Sequence, residues 1–243
     1  MLASFGKLIA FNIIEMRLAA PIFAQYVKSY QEYGDIVKQM MSKARELNRT
    51  KCMRTQLLSL EQLFEELRDQ NEGRIDRSSE EWTKIKDLAH RFALMAGVDN
   101  YKSRQAVVTF HREGIIYCLL RNGPPDGSPP SNIVFFDILA ETTFKLMDID
   151  KKGPKGLLAF LEEQLMKEGE IPEDEIEWGP LRTYRTALVG SMSDPYVYYS
   201  NTTASKRKIM ESPMRIMEVK RPREDYTSAE YMAGPSSSGN YVQ

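Results

Sequence analysis

The sequence is poor in the residues that most chemistry needs. Its 243 residues hold two histidines, His90 and His111, and two cysteines, Cys52 and Cys118. Neither cysteine has a partner at metal-ligand spacing, which excludes the usual zinc patterns and a disulfide framework and fits a reducing compartment. No phosphate-binding glycine loop, dinucleotide fingerprint or nucleophile elbow occurs. A catalytic histidine needs convergent partners, and neither histidine has one nearby, so both are expected to be structural. The adjacent pairs Glu80-Glu81 and Glu162-Glu163 fall on expected helices, where neighbours in sequence point apart, so they make poor acid–base pairs. No catalytic residue, metal ligand, cofactor or small-molecule substrate is therefore expected; the chain reads as a non-enzyme.

Charge of one sign is also missing. The formal net charge is −1, so no global field draws the chain to nucleic acid, and any such contact must come from a local patch. Long apolar runs are scarce. Residues 1–16 (MLASFGKLIAFNIIEM) come nearest, but Lys7 interrupts the run and Glu15 follows it. A signal peptide needs basic residues before an unbroken apolar core, and a membrane span needs about 20 apolar residues. A buried helix and no membrane partner are the expectation. The apolar character reaches Met1 without a cap, which suggests a chain cut or spliced from something longer.

What the chain does have is helix-forming material. Hydrophobic residues make up 42% and charged residues 28%, the balance of a soluble all-α protein with a core. Helices are expected over 2–16 and 20–33, with Gly34 as a stop and Asp35 capping a third that runs to about Asn48. In a fourth, Leu57, Leu60, Phe64 and Leu67 recur at helical spacing. Ser78 with Glu81 reads as a capping box for a fifth, carrying Trp82, Ile85, Ala89 and Phe92 and stopping at Gly97. A sixth starts near Ser103 and breaks at Gly114, leaving Ile115 to Leu120 as a short seventh. After the loop 122–131 (NGPPDGSPPS), residues 133–147 read as one central helix, apolar nearly all round. Leu157, Leu161 and Leu165 mark another, an acidic loop spans 168–177, and a last helix covers about 180–189. Nine or ten helices joined by short turns fit a HEAT-like solenoid of antiparallel helix pairs, although no residue-level repeat is visible.

Residues 190–243 differ. Apolar periodicity disappears and Ser, Thr, Asn, Pro, Gly and charges dominate, so this segment is expected to be a disordered tail. It carries seven Lys or Arg against six Asp or Glu, with the basic residues clustered. Lys206-Arg207, twelve residues, then Lys220-Arg221-Pro222-Arg223 matches a bipartite nuclear localisation signal for an import receptor. Ser212-Pro213 within the gap is a candidate proline-directed phosphorylation site. A second basic cluster, Lys43, Arg45, Arg49, Lys51 and Arg54, sits at the expected third-to-fourth helix turn. It reads either as solvated helix ends that complement a dipole, or as a phosphate-contacting edge.

The stretch 31–64 (QEYGDIVKQMMSKARELNRTKCMRTQLLSLEQLF) resembles the cohesin stromal antigen (stromalin) family. Further matching segments follow in the family's order: IKDLAHRFA, FHREGII, PPSNIVFFDIL and WGPLRTYRTAL. The resemblance covers about 2–189 and implies the C-terminal HEAT-repeat portion of a cohesin subunit. It implies a nuclear, chromosomal scaffold that binds the kleisin subunit of the cohesin ring and double-stranded DNA in chromatin, in sister chromatid cohesion and chromosome segregation. It favours the DNA reading of Lys43, Arg45, Arg49, Lys51 and Arg54, and makes Lys28 and Lys38 weaker candidates for kleisin contact. The alternative is a truncated paralogue that no longer joins cohesin and serves only as a protein-interaction module, or has no function.

Overall fold

Apolar residues three and four apart bury one face of each long segment, and that periodicity sets the architecture of the computed structural model. It describes residues 2–96, 100–121, 128–147, 152–168 and 176–192. The tail expected from 190 begins later, because residues 190 and 191 still belong to the last helix; the segment from 193 on, with the import signal and the Ser-Pro site, lies outside the described residues. Ten helices are found among the described residues, and no strand. They are α1 (Leu2–Ala10), α2 (Ala20–Ala24), α3 (Tyr30–Leu47), α4 (Arg49–Gln70) and α5 (Glu80–Met95), then α6 (Asn100–Cys118), α7 (Phe136–Ala140), α8 (Phe144–Met147), α9 (Lys152–Glu168) and α10 (Gly179–Ser191). Short 3-10 turns precede α2, α7 and α10.

The directions of the helices follow from which side chains meet. One residue, Asn48, separates α3 from α4, and its side chain caps α4 by accepting from the Lys51 amide at 2.8 Å. The two helices therefore run antiparallel, with the Cys52 thiol 3.7 Å from the Met41 carbonyl. α4 and α6 run parallel: Arg54 meets Glu113, and further along Glu65 meets Tyr117. α9 continues that layer beside α6, with the Arg112 guanidinium over Phe160 and Arg121 bonded to Glu168 at 2.6 Å. Antiparallel neighbours with parallel next-but-one helices are the packing of an all-α solenoid.

The core is rich in aromatics. Phe64 meets Trp82, Tyr117 and Phe135 edge-on. Trp82, Ile85, Leu88, Ala89 and Phe92 bury the apolar face of α5, and Leu157, Leu161 and Leu165 that of α9.

Five local expectations are corrected. α1 ends at Ala10, because Asn12 takes a left-handed conformation (φ 54°) that no helix continues through. The break expected at Gly34 falls earlier, at 25–29; Gly34 is buried inside α3, where a Cβ would lie 2.8 Å from the Tyr30 ring. The cap of α5 is Ser79, which accepts from the Trp82 amide at 3.2 Å, while Ser78 bonds to Asp76 instead. α6 runs straight through Gly114, which is there to let α7 approach: a Cβ would meet Leu139 at 2.6 Å. Finally, 133–147 is two short helices, because the Thr142 and Thr143 hydroxyls bond back to the Leu139 and Ala140 carbonyls at 2.7 and 2.8 Å. The segment is nevertheless central, with Phe135, Phe136, Ile138 and Leu139 fully buried.

Candidate interaction edge

Antiparallel packing gathers the ends of α3 and α5 and the starts of α4 and α6 on one edge of the solenoid, and the basic cluster sits there. The structure divides its five residues into three kinds. Arg45 turns inward: its guanidinium donates to the Met95 carbonyl at the end of α5 and, at 3.2 Å, to the Ser42 hydroxyl. A cation on the last carbonyls of a helix satisfies orphan acceptors and the negative end of the dipole together. Lys43 and Arg54 are exposed but paired, with Glu46 at 2.7 Å and with Glu113 at 2.5 Å. The Lys43 ammonium holds the Glu46 carboxyl below its ordinary range. Arg49 and Lys51, at the start of α4, have no side-chain partner among the described residues; Lys51 is exposed and Arg49 half-buried.

Beneath this edge lies a cavity of ≈ 290 Å³. Its wall is mostly apolar, from Met41, Met53, Leu94 and Val107, and its polar rim includes Lys38, Arg45 and Arg49. Gln56 also lines it. That side chain is buried, its amide lies 3.9 Å from the Met41 sulfur, and its Oε1 has no hydrogen-bond partner. The buried neighbours on α4 are satisfied, Thr55 by the Lys51 carbonyl and Ser59 by the Thr55 carbonyl. Gln56 went unnoticed in the sequence, yet a signal is there: Cys52, Gln56 and Leu60 form one helical stripe, and only its middle residue is strongly polar.

Lys38 is exposed on α3 and belongs to this edge. Lys28 does not. It lines a separate hollow of ≈ 250 Å³ on the opposite edge, with Leu63, Leu67, Ile85 and Leu88. The two candidate kleisin-contact lysines are thus not brought together. The import-signal residues Lys206, Arg207, Lys220, Arg221 and Arg223 lie outside the described residues.

Among the described residues the histidines form no catalytic constellation with an exposed nucleophile. His90 packs against Phe144 with the rings tilted and their centroids 4.8 Å apart. His111 is fully buried, with Nδ1 2.9 Å from the Tyr184 hydroxyl and Nε2 3.4 Å from Thr142 Oγ1. Thr142 already gives its proton to the Leu139 carbonyl, so it accepts from Nε2–H, and Nδ1 accepts from Tyr184. Burial pushes the imidazole pKa down to about 3, which keeps the ring neutral. Among the described residues no group of three or more His, Cys, Asp or Glu could hold a metal ion, and no helix is long and apolar enough to cross a membrane.

Residues 49–192 match the family described as the STAG protein C-terminal domain. That span contains α4 to α10, with Arg49, Lys51, Arg54 and Gln56. The chain belongs to the STAG protein family. It is 42% identical over 190 residues to cohesin subunit SA-1 of Xenopus laevis, covering 78% of this chain and 15% of that protein. It is 36% identical over 229 residues to cohesin subunit SA-3 of Rattus norvegicus, covering 90% and 17%. With cohesin subunit SA-3 of Homo sapiens the identity is 34% over 232 residues, covering 95% and 18%. The chain spans less than a fifth of the length of these curated relatives. The resemblance read from 31–64 and the later segments, to a stromal antigen subunit and not to an enzyme, stands.

Proposed function

We propose that this chain is a non-catalytic cohesin subunit or fragment, a solenoid scaffold that binds the kleisin subunit and double-stranded DNA on chromosomes in the nucleus. The observation that carries the reading is the family match over 49–192, the stretch that folds as α4 to α10. Its relatives are named cohesin subunits. The edge at the α3–α4 turn supports the DNA part. Arg49 and Lys51 are available for phosphate, and the exposed Glu46 and half-buried Glu113, paired with the exposed Lys43 and Arg54, hold them weakly enough for phosphate to compete. Arg45 is the exception in the cluster, since its guanidinium is spent inside the fold. Lys28 and Lys38 remain the candidate kleisin contacts, on two different edges.

Residues 1–189, which α10 extends to Ser191, form the helical-repeat part of this proposal, and the segment from there to 243 is its tail. Lys206, Arg207, Lys220, Arg221 and Arg223 are its import signal, which a fluorescent fusion of the tail should carry into the nucleus until the five are replaced by alanine. Co-purification with the kleisin subunit tests the scaffold. A folded chain that binds neither kleisin nor duplex DNA would overturn it and leave the paralogue that has lost cohesin.

A further inference from the structure

We infer that the cavity between the ends of α3 and α5 and the starts of α4 and α6 takes an acidic peptide segment. One apolar side chain of the peptide enters the cavity, its backbone N–H donates to Gln56 Oε1, and flanking carboxylates pair with Lys38 and Arg49.

Three observations converge on that chemistry. The first is size and lining. At ≈ 290 Å³ the space is at the lower limit of small-molecule pockets, roughly 300–1,000 Å³, and accommodates one large side chain. Met41 and Met53 in its wall are adaptable, and Leu94 stands 59% exposed beside it as an apolar shoulder. The second is Gln56. Its Oε1 is a buried acceptor with no donor bonded to it among the described residues: of the donors in the wall, the Arg45 guanidinium serves Met95 and Ser42 and the Ser103 hydroxyl serves Ala96. A ligand N–H relieves that deficit; a phosphate or carboxylate oxygen cannot. The third is charge. No Asp or Glu is among the described residues that line the cavity, while Lys38 and Arg49 stand on its rim without ion-pair partners among them. An acidic segment meets a complementary field there.

Duplex DNA fits these observations less well. Its backbone offers no donor to Gln56, and it is too wide to place an apolar group in the cavity, so it reaches only the cations outside. The peptide site shares Arg49 and Lys38 with the DNA and kleisin reading above but adds the cavity and Gln56, which that reading does not use, so the peptide's own variants separate the two.

Fluorescence anisotropy with the whole 243-residue chain tests it. The probe is a dye-labelled pentapeptide, glutamate–aspartate–phenylalanine–aspartate–glutamate. Three changes are expected to weaken its binding about tenfold each: phenylalanine to alanine, N-methylation of the phenylalanine amide, and Arg49→Glu in the protein. The two peptide changes leave the protein's folding untouched. A probe that does not bind, or binds equally well with an alanine or an N-methyl amide, overturns the site. A 20-base-pair duplex that binds and is lost on Arg49→Glu, while the peptide shows no binding, assigns the edge to nucleic acid instead.

Discussion

One buried and one half-buried titrating side chain pull the stability of this chain in opposite directions with pH. His111 has its folded pKa depressed to about 3 from 6.5, by burial. Between those values the unfolded chain is protonated and the folded chain is not, so stability is full above pH 6.5 and is lost as pH falls toward 3. Glu61 lies on α4, facing Glu65 and Glu113. Burial, followed by those two carboxylates, raises its pKa from 4.5 to about 7. Its contribution is full below pH 4.5 and is lost as pH rises through 7. The two effects overlap near pH 5–6.5 and mask each other in the native chain. Urea unfolding of single variants separates them. The advantage of the native chain over His111→Gln should shrink by about 2 kcal/mol between pH 7 and pH 5. Glu61→Gln should gain about 2 kcal/mol on the native chain between pH 5 and pH 8, a value reduced from the full linkage because the carboxyl is partly exposed. A gap independent of pH in either variant would contradict the burial of that group.

Two glycines that look alike in sequence have different jobs. Both Gly34 and Gly114 sit inside helices, where alanine is favoured by roughly 1 kcal/mol on propensity alone. At Gly114 the new Cβ would lie 2.6 and 3.0 Å from the Leu139 methyls, and Leu139 is fully buried with nowhere to go. At Gly34 the obstacle is the Tyr30 ring, which is 46% exposed and can swing aside. Gly114→Ala should therefore cost about 1–3 kcal/mol, while Gly34→Ala should stay within about 1 kcal/mol of the native chain in the same melts.

At the scale of elements, caps decide where helices begin, and they discriminate between adjacent residues. Ser78 and Ser79 are equally good capping residues by type. The Asp76 carboxylate accepts from both the amide and the hydroxyl of Ser78, which draws that side chain away from the helix and leaves Ser79 to cap α5. Ser79→Ala should cost about 1 kcal/mol of stability and Ser78→Ala only a few tenths. Equal losses in thermal unfolding would move the cap. The α3–α4 turn depends in the same way on Asn48, whose loss would loosen the edge that carries Arg49 and Lys51. The threonine pair at 142–143 acts in the opposite sense: by bonding back to the preceding carbonyls it ends α7 and places Thr142 against His111.

For the whole molecule, the consequential arrangement is the parallel layer of α4, α6 and α9, tied by Arg54–Glu113 and Arg121–Glu168. In the basic cluster that layer pairs Arg54 with Glu113, while Glu46 holds Lys43 within α3 and the end of α5 holds Arg45, which leaves Arg49 and Lys51 unpaired among the described residues. Charge reversal of Arg49 and Lys51 should reduce duplex-DNA affinity and flatten its salt dependence by about two units in the log–log slope, whereas reversal of Lys43 and Arg54 should flatten it less. Equal effects from the two pairs would mean that Glu46 and Glu113 do not hold their partners in solution.

The sequence alone determined that the chain is helical, where most long helices lie, which faces they bury and which family it resembles. These properties rest on local periodicity and on short segments, which neighbours in the chain encode. It did not determine whether Gly34 and Gly114 break helices or admit close neighbours, because their contacts come from other side chains. Nor did it tell Arg45 from Arg49, which both read as surface cations. The Met95 carbonyl that holds Arg45 lies fifty residues away in the chain, and Glu113 lies fifty-nine from Arg54. Only tertiary packing brought these groups together, and only that packing left Gln56 buried without a donor.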